Sequence, residues 1–532
     1  MRFPHLHAKS LSALVITLLT FNIAAHAQDV LTYRNNNART SLDNQEKILT
    51  TSNVNVSTFG KLFVLNVDGV VDAQPLYLSN LTISGATHNV LIVVTENDSV
   101  YAFDADTGAQ YWHISTLASG ETASDDRGCD QVDPTIGITS TPVIQRPKTG
   151  DPIIYTVAMS KDSSGNYYQR LHALDATTGA EVHNGPKEIT AKYPGTGDNS
   201  SGGYVIFDPS QYKERSGLLL AGGQIYLAWA SHCDIRPYTG WIMAYNANTL
   251  AQTSVLNVTP NANEGAIWGS SAGLTSDNDG SIFFLDANGV FDTTLNTSGF
   301  PSSGDYGNAF MRLTTKGKLA VADYFEMYNE QNENCCDTDL GSGGTLLVPN
   351  QNDSSGNTWQ LAAGAGKDGN LYLVNRANMG KFNSSSNNVY QELSGVLPGG
   401  MWNSPAFWAG RLYYGPVGSP ILEFQFKNAK LSTAPIAQSA NSFGFPGATL
   451  TISSNTSANA IVWAVENVNP AVLHAYSATK LTEIYNTTQA SNGRDNFGNG
   501  NKYAPPTVAN GKVYVPTTSG VGVFGLLSDK KK

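Results

Sequence analysis

The run Glu96-Asn-Asp-Ser-Val-Tyr-Ala-Phe-Asp104-Ala-Asp106-Thr-Gly108-Ala-Gln-Tyr-Trp112 reads as strand, tight turn, strand. Val100 and Ala102 alternate with Tyr101 and Phe103, the pattern of a sheet packed on both faces. Asp104-Ala-Asp-Thr-Gly108 supplies the turn: aspartate side chains accept backbone N–H bonds, and glycine adopts positive φ without a Cβ clash. The second strand ends in Trp112, an apolar anchor that a single hairpin cannot bury.

The unit recurs. Leu171-His-Ala-Leu-Asp175-Ala-Thr-Thr-Gly179 repeats it, Ile242-Met-Ala-Tyr-Asn246-Ala-Asn-Thr-Leu250 is a third copy without its glycine, and Leu473-His-Ala-Tyr-Ser477-Ala-Thr-Lys480 is a weaker one. Asp104, Asp175 and Asn246 are evenly spaced by 71 residues, longer than a repeat of about 40–50 residues, so loops are inserted between units. Strand-rich units fall at about 73–113, 140–183, 218–256, from 267 through Phe310, 343–382, 404–426 and 443–485. A last piece from Pro506 to Leu527 holds only about three strands. An orphan strand precedes the first unit, Gly60-Lys-Leu-Phe-Val-Leu-Asn-Val-Asp-Gly69. A ring of four-stranded blades must close, because an open end leaves unpaired strand edges. Residues 61–67 are therefore expected to complete the last blade. The expected fold is all-β: a single β-propeller of four-stranded blades, eight in number with seven the alternative, closed by an N-terminal strand.

The chain opens with a targeting segment. Arg2 and Lys9 flank the amino end, Leu11 to Ile23 is almost wholly apolar, and Ala25-His-Ala27 is a small-x-small cleavage signal. About 13 apolar residues are too few to span a bilayer, so residues 1–27 read as a signal peptide. The organisation that follows is an N-terminal arm over 28–58, a propeller over 59–527 and a basic tail over 528–532. No later stretch is long and apolar enough to span, so a secreted or periplasmic protein is expected. The net charge of −11 falls to −13 once Arg2 and Lys9 are removed. An acidic chain has no electrostatic footprint for nucleic acid, and anionic membranes repel it. Charged residues make up only 14% of the chain against 51 glycines, which suits many strands and tight turns.

The phrases Val100-Tyr-Ala-Phe-Asp-Ala-Asp-Thr-Gly108…Trp112, Leu171-His-Ala-Leu-Asp-Ala-Thr-Thr-Gly179 and Gly511-Lys-Val-Tyr-Val515 resemble the repeat of the quinoprotein alcohol dehydrogenase-like β-propellers. The resemblance covers nearly all of the chain beyond residue 27. It implies a fold that carries dehydrogenases and non-catalytic assembly factors alike. Catalytic members hold pyrroloquinoline quinone (PQQ) and calcium on the axis. Their calcium takes a Glu from a third-blade stretch ending in Arg-Gly and an Asn from a Thr-Gly-Asn turn, and an Asp from the following segment acts as base. The third-blade slot here is Ser231-His-Cys-Asp-Ile-Arg-Pro-Tyr-Thr-Gly240, with Asp234 as its nearest carboxylate and neither the Glu nor an Arg beside Gly240. Leu285-Asp-Ala-Asn288-Gly keeps only the Asn. Cys336-Asp337-Thr-Asp339 falls at the Asp-rich segment. By resemblance, Asp234 and Asn288 are the candidate calcium ligands, Trp268 joins them as a cofactor contact, and Asp337 or Asp339 is the candidate base. Trp229, Trp268, Trp402 and Trp408 are candidates to stack on a sugar or quinone, with core packing the plain alternative.

Catalytic members also carry two adjacent cysteines in a loop after the first blade, where this chain has the single Cys129. Cys129 and Cys233 sit in loops that the family turns toward the axis, and the resemblance pairs them. Cys335-Cys336 lies elsewhere and reads as free or mixed. Asp277-Asn-Asp-Gly280 reads as a hairpin turn, and Arg494-Asp495 as a surface ion pair unless it joins Lys502 in lining an axial funnel.

The expected function is an exported, monomeric ligand-binding module with a degenerate quinone site. Its axial face would take a small molecule, a glycan or a protein, with no stoichiometric uptake of quinone with calcium. The alternative is a PQQ- and calcium-dependent dehydrogenase oxidising an alcohol or sugar. Export makes the first testable statement: intact mass and N-terminal sequencing of the protein recovered from a secreting host should show Gln28 as the first residue. Recovery of exported protein that retains residues 1–27 contradicts the cleavage assignment.

Overall fold

A computed structural model of the protein describes residues 28–269 and 272–528. The targeting segment and the last four residues of the basic tail lie outside them. The described chain is a β-propeller. Eight sheets built on four antiparallel strands follow one another along it. In the first, Leu76–Ile83, Ala86–Val94, Ser99–Asp104 and Gln110–Ser115 pair in chain order. The repeat stretch of the sequence supplies its third and fourth strands.

Burial orients each sheet. Strand Ser99–Asp104 is buried along its whole length, whereas Gln110–Ser115 is half-buried to exposed. The first strand of one sheet touches the first strand of the next at most junctions, and Thr507–Ala509 of the last sheet touches Leu76–Ile83 of the first. First strands are thus innermost and fourth strands face solvent. The orphan strand lies where ring closure requires it: Phe59–Asn66 pairs antiparallel with Gly520–Leu526 as the fourth strand of the last sheet. Asp495 fastens it, accepting from Lys61 N at 3.0 Å and from the Tyr485 hydroxyl at 2.8 Å. Asp495 is fully buried and paired with Arg494, so that pair is a clasp on the closing strand rather than a surface contact.

The repeated turn also locks neighbouring sheets. Asp104 Oδ1 accepts from the backbone N of Asp106 and Thr107, and Asp175 and Asn246 cap their turns in the same way. Gly108 and Gly179 take φ of +80° and +73°. In the copy without glycine, Leu250 adopts +54°, a left-handed conformation that costs a non-glycine residue strain. The alanine after each cap is buried, and its carbonyl accepts from an aromatic donor of the adjacent sheet. Tyr514 bonds Ala105 at 3.1 Å, Trp112 bonds Ala176 at 3.1 Å, Tyr155 bonds Ala247 at 2.9 Å and Tyr413 bonds Ala478 at 2.8 Å.

Several units extend further than the sequence reading placed them: the second reaches Lys187–Glu188 and the fourth Ala320–Phe325. The fifth sheet takes its fourth strand from Gln391–Leu393, and the sixth takes one from Ala437–Phe443. A three-stranded sheet of Lys192–Pro194, Ser200–Ser201 and Tyr204–Ile206, inserted between the second and third units, was not foreseen either. These strands are two to seven residues long and poor in alternation, so periodicity gives them no signal.

The arm is the least expected part. It coils through positive φ at Arg34, Asn35, Arg39 and Ser41 and hydrogen-bonds in turn to the innermost strands of seven sheets and to a hairpin turn of the eighth. Val30 pairs with Tyr77, and Leu31 O accepts from Ile144 N. Asn37 donates to Leu220 O and accepts from Ser276 N. Ala38 O, Thr40 O and Ser41 O accept from Leu347, Phe407 and Ile452. Glu46 Oε2 accepts from Gly511 N at 2.9 Å. Each of the eight sheets receives one of these bonds. Arg39, fully buried, donates to the carbonyls of Tyr33, Leu218 and Leu274 at 2.7–3.0 Å.

Arg39→Ala should therefore lower unfolding free energy by about 3 kcal/mol or more, because several buried carbonyls lose their donor at once. Deleting residues 28–67 should leave an open, aggregation-prone ring. Urea unfolding of the point variant and light scattering of the truncation test this; native-like behaviour of both would show that neither arm nor closing strand holds the ring.

Candidate functional site

A cavity of about 300 Å³ is lined by loops contributed around the ring: Gln131 from the first inter-sheet segment, Asp234 from the third unit, Trp268 and Asn288 from the fourth, and Tyr503 from the segment before the last sheet. Arg215 and Tyr503 also border a smaller hollow whose wall includes Tyr33 of the arm. The arm thus floors the axial passage beneath the cavity.

Asp234, Trp268, Asn288, Asp337 and Asp339 all line this one cavity, although 105 residues separate the first from the last. Asp234 Oδ1 accepts from the Tyr238 hydroxyl at 2.7 Å. Its loop runs through left-handed backbone at Cys233 and Asp234, held by a Cys129–Cys233 disulfide with a Cα–Cα distance of 5.5 Å. That cross-link closes 104 residues and contributes roughly 2–4 kcal/mol by restricting the unfolded chain. Cys335 and Cys336 are free, exposed thiols at the end of the short helix Glu330–Cys335.

Asn288 Nδ2 donates to Asp337 Oδ1 at 2.7 Å. Lys367 reaches both acids, pairing with Asp337 and lying 2.7 Å from Asp339 Oδ1. Asp337 is largely exposed and Asp339 buried. Burial pushes the Asp339 carboxyl above the usual carboxylate range; Lys367 opposes this, and Asp337 and Asp234 add to it. Burial alone would depress Lys367, but Asp339 and Asp337 outweigh it and hold the ammonium above the usual lysine range.

Arg215 and Lys502, which also line the cavity, form no ion pair among the described residues. Arg215 is buried and lies 4.9 Å over the Tyr503 ring. Burial, then the neighbouring Arg215 charge, push Lys502 down, while Asp72 and Asp133 oppose them. Behind the wall, buried Lys213 donates to Gln131 Oε1 at 2.9 Å and sits 5.4 Å over Trp268; burial, then Arg215 and Lys502, push its amine well below the usual lysine range. Trp402, Phe445 and Tyr503 form a run of edge-to-face rings at 5.9 and 6.1 Å. Of the four tryptophans singled out from the sequence, Trp268 and Trp402 line the cavity, while Trp229 and Trp408 are buried in sheet cores. The Asp277 loop is a turn, its carboxylate accepting from Asp279 N and Ser281 N.

Sequence reasoning missed Lys367, Arg215 and Tyr503 as site residues, and gave Lys502 only a conditional part. One signal existed: Lys213-Glu-Arg215 is a run of three charges entering a strand-forming stretch of a sparsely charged chain, and all three are buried.

No family model matches the chain, and no curated protein matches it. Its fold is similar to solved structures. The quinohemoprotein alcohol dehydrogenase from Comamonas testosteroni aligns with a TM-score of 0.61 at 13% identity over 95% of this chain and 81% of that one. The quinohemoprotein alcohol dehydrogenase ADHIIG from Pseudomonas putida HK5 aligns at 0.60 and 12% identity over 94% and 80%. The likeness supports the fold class read from the repeats, a quinoprotein alcohol dehydrogenase-like β-propeller.

The donor set suits the organic part of a quinone cofactor, an anionic planar ring, better than calcium. Lys367 pairs with both Asp337 and Asp339 and so offsets one of their two charges, and Asn288 donates its amide N–H to Asp337, which leaves its buried Oδ1 without a hydrogen-bond partner. Among the described residues no three of His, Cys, Asp and Glu gather to hold a metal.

Asp339 has a raised folded pKa, so its cost to stability is present above that pKa and relieved as pH falls. Lys367→Gln removes the opposing cation and should cost about 3 kcal/mol near pH 8, with part recovered at pH 5 as Asp339 takes up a proton. Urea unfolding at the two pH values measures this; a variant as stable as the native protein at pH 8 contradicts the pairing.

Proposed function

We propose that the protein is an exported small-molecule-binding propeller whose axial cavity holds a ring-bearing carboxylate without oxidising it. One observation carries the reading: Arg215 and Lys502 face the cavity with no ion pair among the described residues, whereas Lys367 is matched by two acids. Cations removed from water without a counter-ion are costly, and an anionic ligand offsets that cost. The aromatic run Trp402–Phe445–Tyr503 offers ring faces and edges to the rest of the ligand. Export is supported by the targeting segment and by the Cys129–Cys233 cross-link, which forms in oxidising compartments. No helix among the described residues is long and apolar enough to cross a membrane.

The second reading is a quinone-dependent dehydrogenase, favoured by the Asp337–Lys367–Asp339 cluster. A carboxylate beside a cation is an arrangement able to take a hydroxyl proton. PQQ, itself a ring-bearing carboxylate, competes for the same cavity, so turnover separates the two readings.

D-glucuronate and PQQ, each titrated with calcium and with EDTA and followed by tryptophan fluorescence, test the proposal. Saturable glucuronate binding, insensitive to calcium and weakened about ten-fold in Arg215→Ala, is the expected result; ten-fold corresponds to about 1.4 kcal/mol. PQQ with calcium should not be taken up stoichiometrically, and no dye-linked alcohol or sugar oxidation should appear. Tight PQQ binding with turnover abolished in Asp337→Asn/Asp339→Asn would establish the dehydrogenase instead.

A further inference from the structure

Gln131 and Lys502, which line the axial cavity, also line a neighbouring cleft of about 220 Å³ walled by loop residues that include Asp72, Asp133, Asn501 and Thr518. We infer that this cleft is a saccharide subsite, taking a neutral sugar unit attached to the carboxylate-bearing ring held in the axial cavity. The inference rests on the axial reading above and extends it from one ring to two.

The chemistry of the wall selects the ligand. Its side chains are carboxylates, carboxamides, a hydroxyl and an ammonium, with Val70 and Val132 the apolar exceptions. Hydrogen-bond bookkeeping leaves both donors and acceptors available. Gln131 has its carbonyl occupied by Lys213, which leaves its amide N–H groups as donors. Asn501 gives its amide group to Val71 O at 2.9 Å and Asp72 Oδ1 at 2.7 Å, which leaves its carbonyl oxygen as an acceptor. Asp133 and Thr518 add an exposed carboxylate and a half-buried hydroxyl.

A hydroxyl both donates and accepts, so a wall of interleaved donors and acceptors matches a polyol. A second anion is disfavoured, because Asp72, Asp130 and Asp133 outnumber Lys502. A flat hydrocarbon finds no aromatic surface in this cleft. A metal finds no cluster of three acidic, His or Cys ligands among the described residues. The axial cavity differs in its aromatic rings and in Arg215 and Lys502, which form no ion pair among the described residues. A ligand that spans both is anionic at one end and polyhydroxylated at the other, which is an acidic oligosaccharide.

The test compares D-glucuronate with cellobiouronate, glucuronate β-1,4-linked to glucose, by calorimetry on the full mature chain. Native protein should bind the disaccharide at least ten-fold more tightly than the monosaccharide. Asp133→Ala/Thr518→Ala should abolish that advantage and leave glucuronate affinity unchanged. Thr518→Trp, which fills the cleft without removing a charge, should do the same. Equal affinities for the two sugars on native protein, or an advantage that survives both variants, would overturn the subsite while leaving the axial reading intact. Cellobiose alone reads the cleft independently. If glucuronate fails to bind but cellobiose binds in a manner sensitive to Asp133→Ala/Thr518→Ala, the axial reading falls and the subsite stands. Displacement of bound cellobiouronate by spermidine at low salt, with no saccharide advantage, would mark the cleft as a cation site and overturn the proposal.

Discussion

A ring of radial sheets has an inner rim, and every first strand brings to it a row of backbone N–H and C=O groups with no further strand to pair with. Left dry and unpaired, each such group costs about 1–3 kcal/mol. The segment from Val30 to Glu46 meets that constraint with a hydrogen bond to each sheet in turn. It also places two buried arginines on carbonyls, with Arg39 bridging Tyr33, Leu218 and Leu274. The outer end of the problem is solved once, where Phe59–Asn66 completes the last sheet. One stretch of about forty residues therefore holds both the axis and the circumference.

That arrangement positions the site. The arm and Tyr33 close one end of the axial passage, and the loops leaving the sheets wall the other. Charges drawn from distant parts of the chain then meet in a space of about 300 Å³. Lys367 settles between Asp337 and Asp339 as a structural ion triad, and Arg215 and Lys502 are left facing the cavity.

Much of the candidate site was legible in the sequence through resemblance. The resemblance pointed to Asp234 as the nearest carboxylate, to Asn288, and to Asp337 or Asp339, and all four line the cavity. Trp268 and Trp402 were separable from Trp229 and Trp408 only by the structure, since a tryptophan in a strand-rich chain packs in a core or lines a pocket according to which loop carries it. Lys367 was visible as part of a Lys-Asp-Gly turn and unreadable as an ion-pair partner, because its acids lie about thirty residues away.

The sequence by itself determined the repeat, its turn chemistry, the strand content and the need for a closing strand. These follow from local rules: alternation sets faces, Asp and Gly set turns, and an incomplete last unit demands a partner. Tertiary structure alone decided the path of the arm, the depth of Arg39 and Asp495, and which charges compensate one another across the axis. The physical reason is range. Turn and strand preferences act over a few residues, whereas a coiled segment such as 28–46 takes its conformation from backbone groups on eight sheets that exist only once the ring has closed.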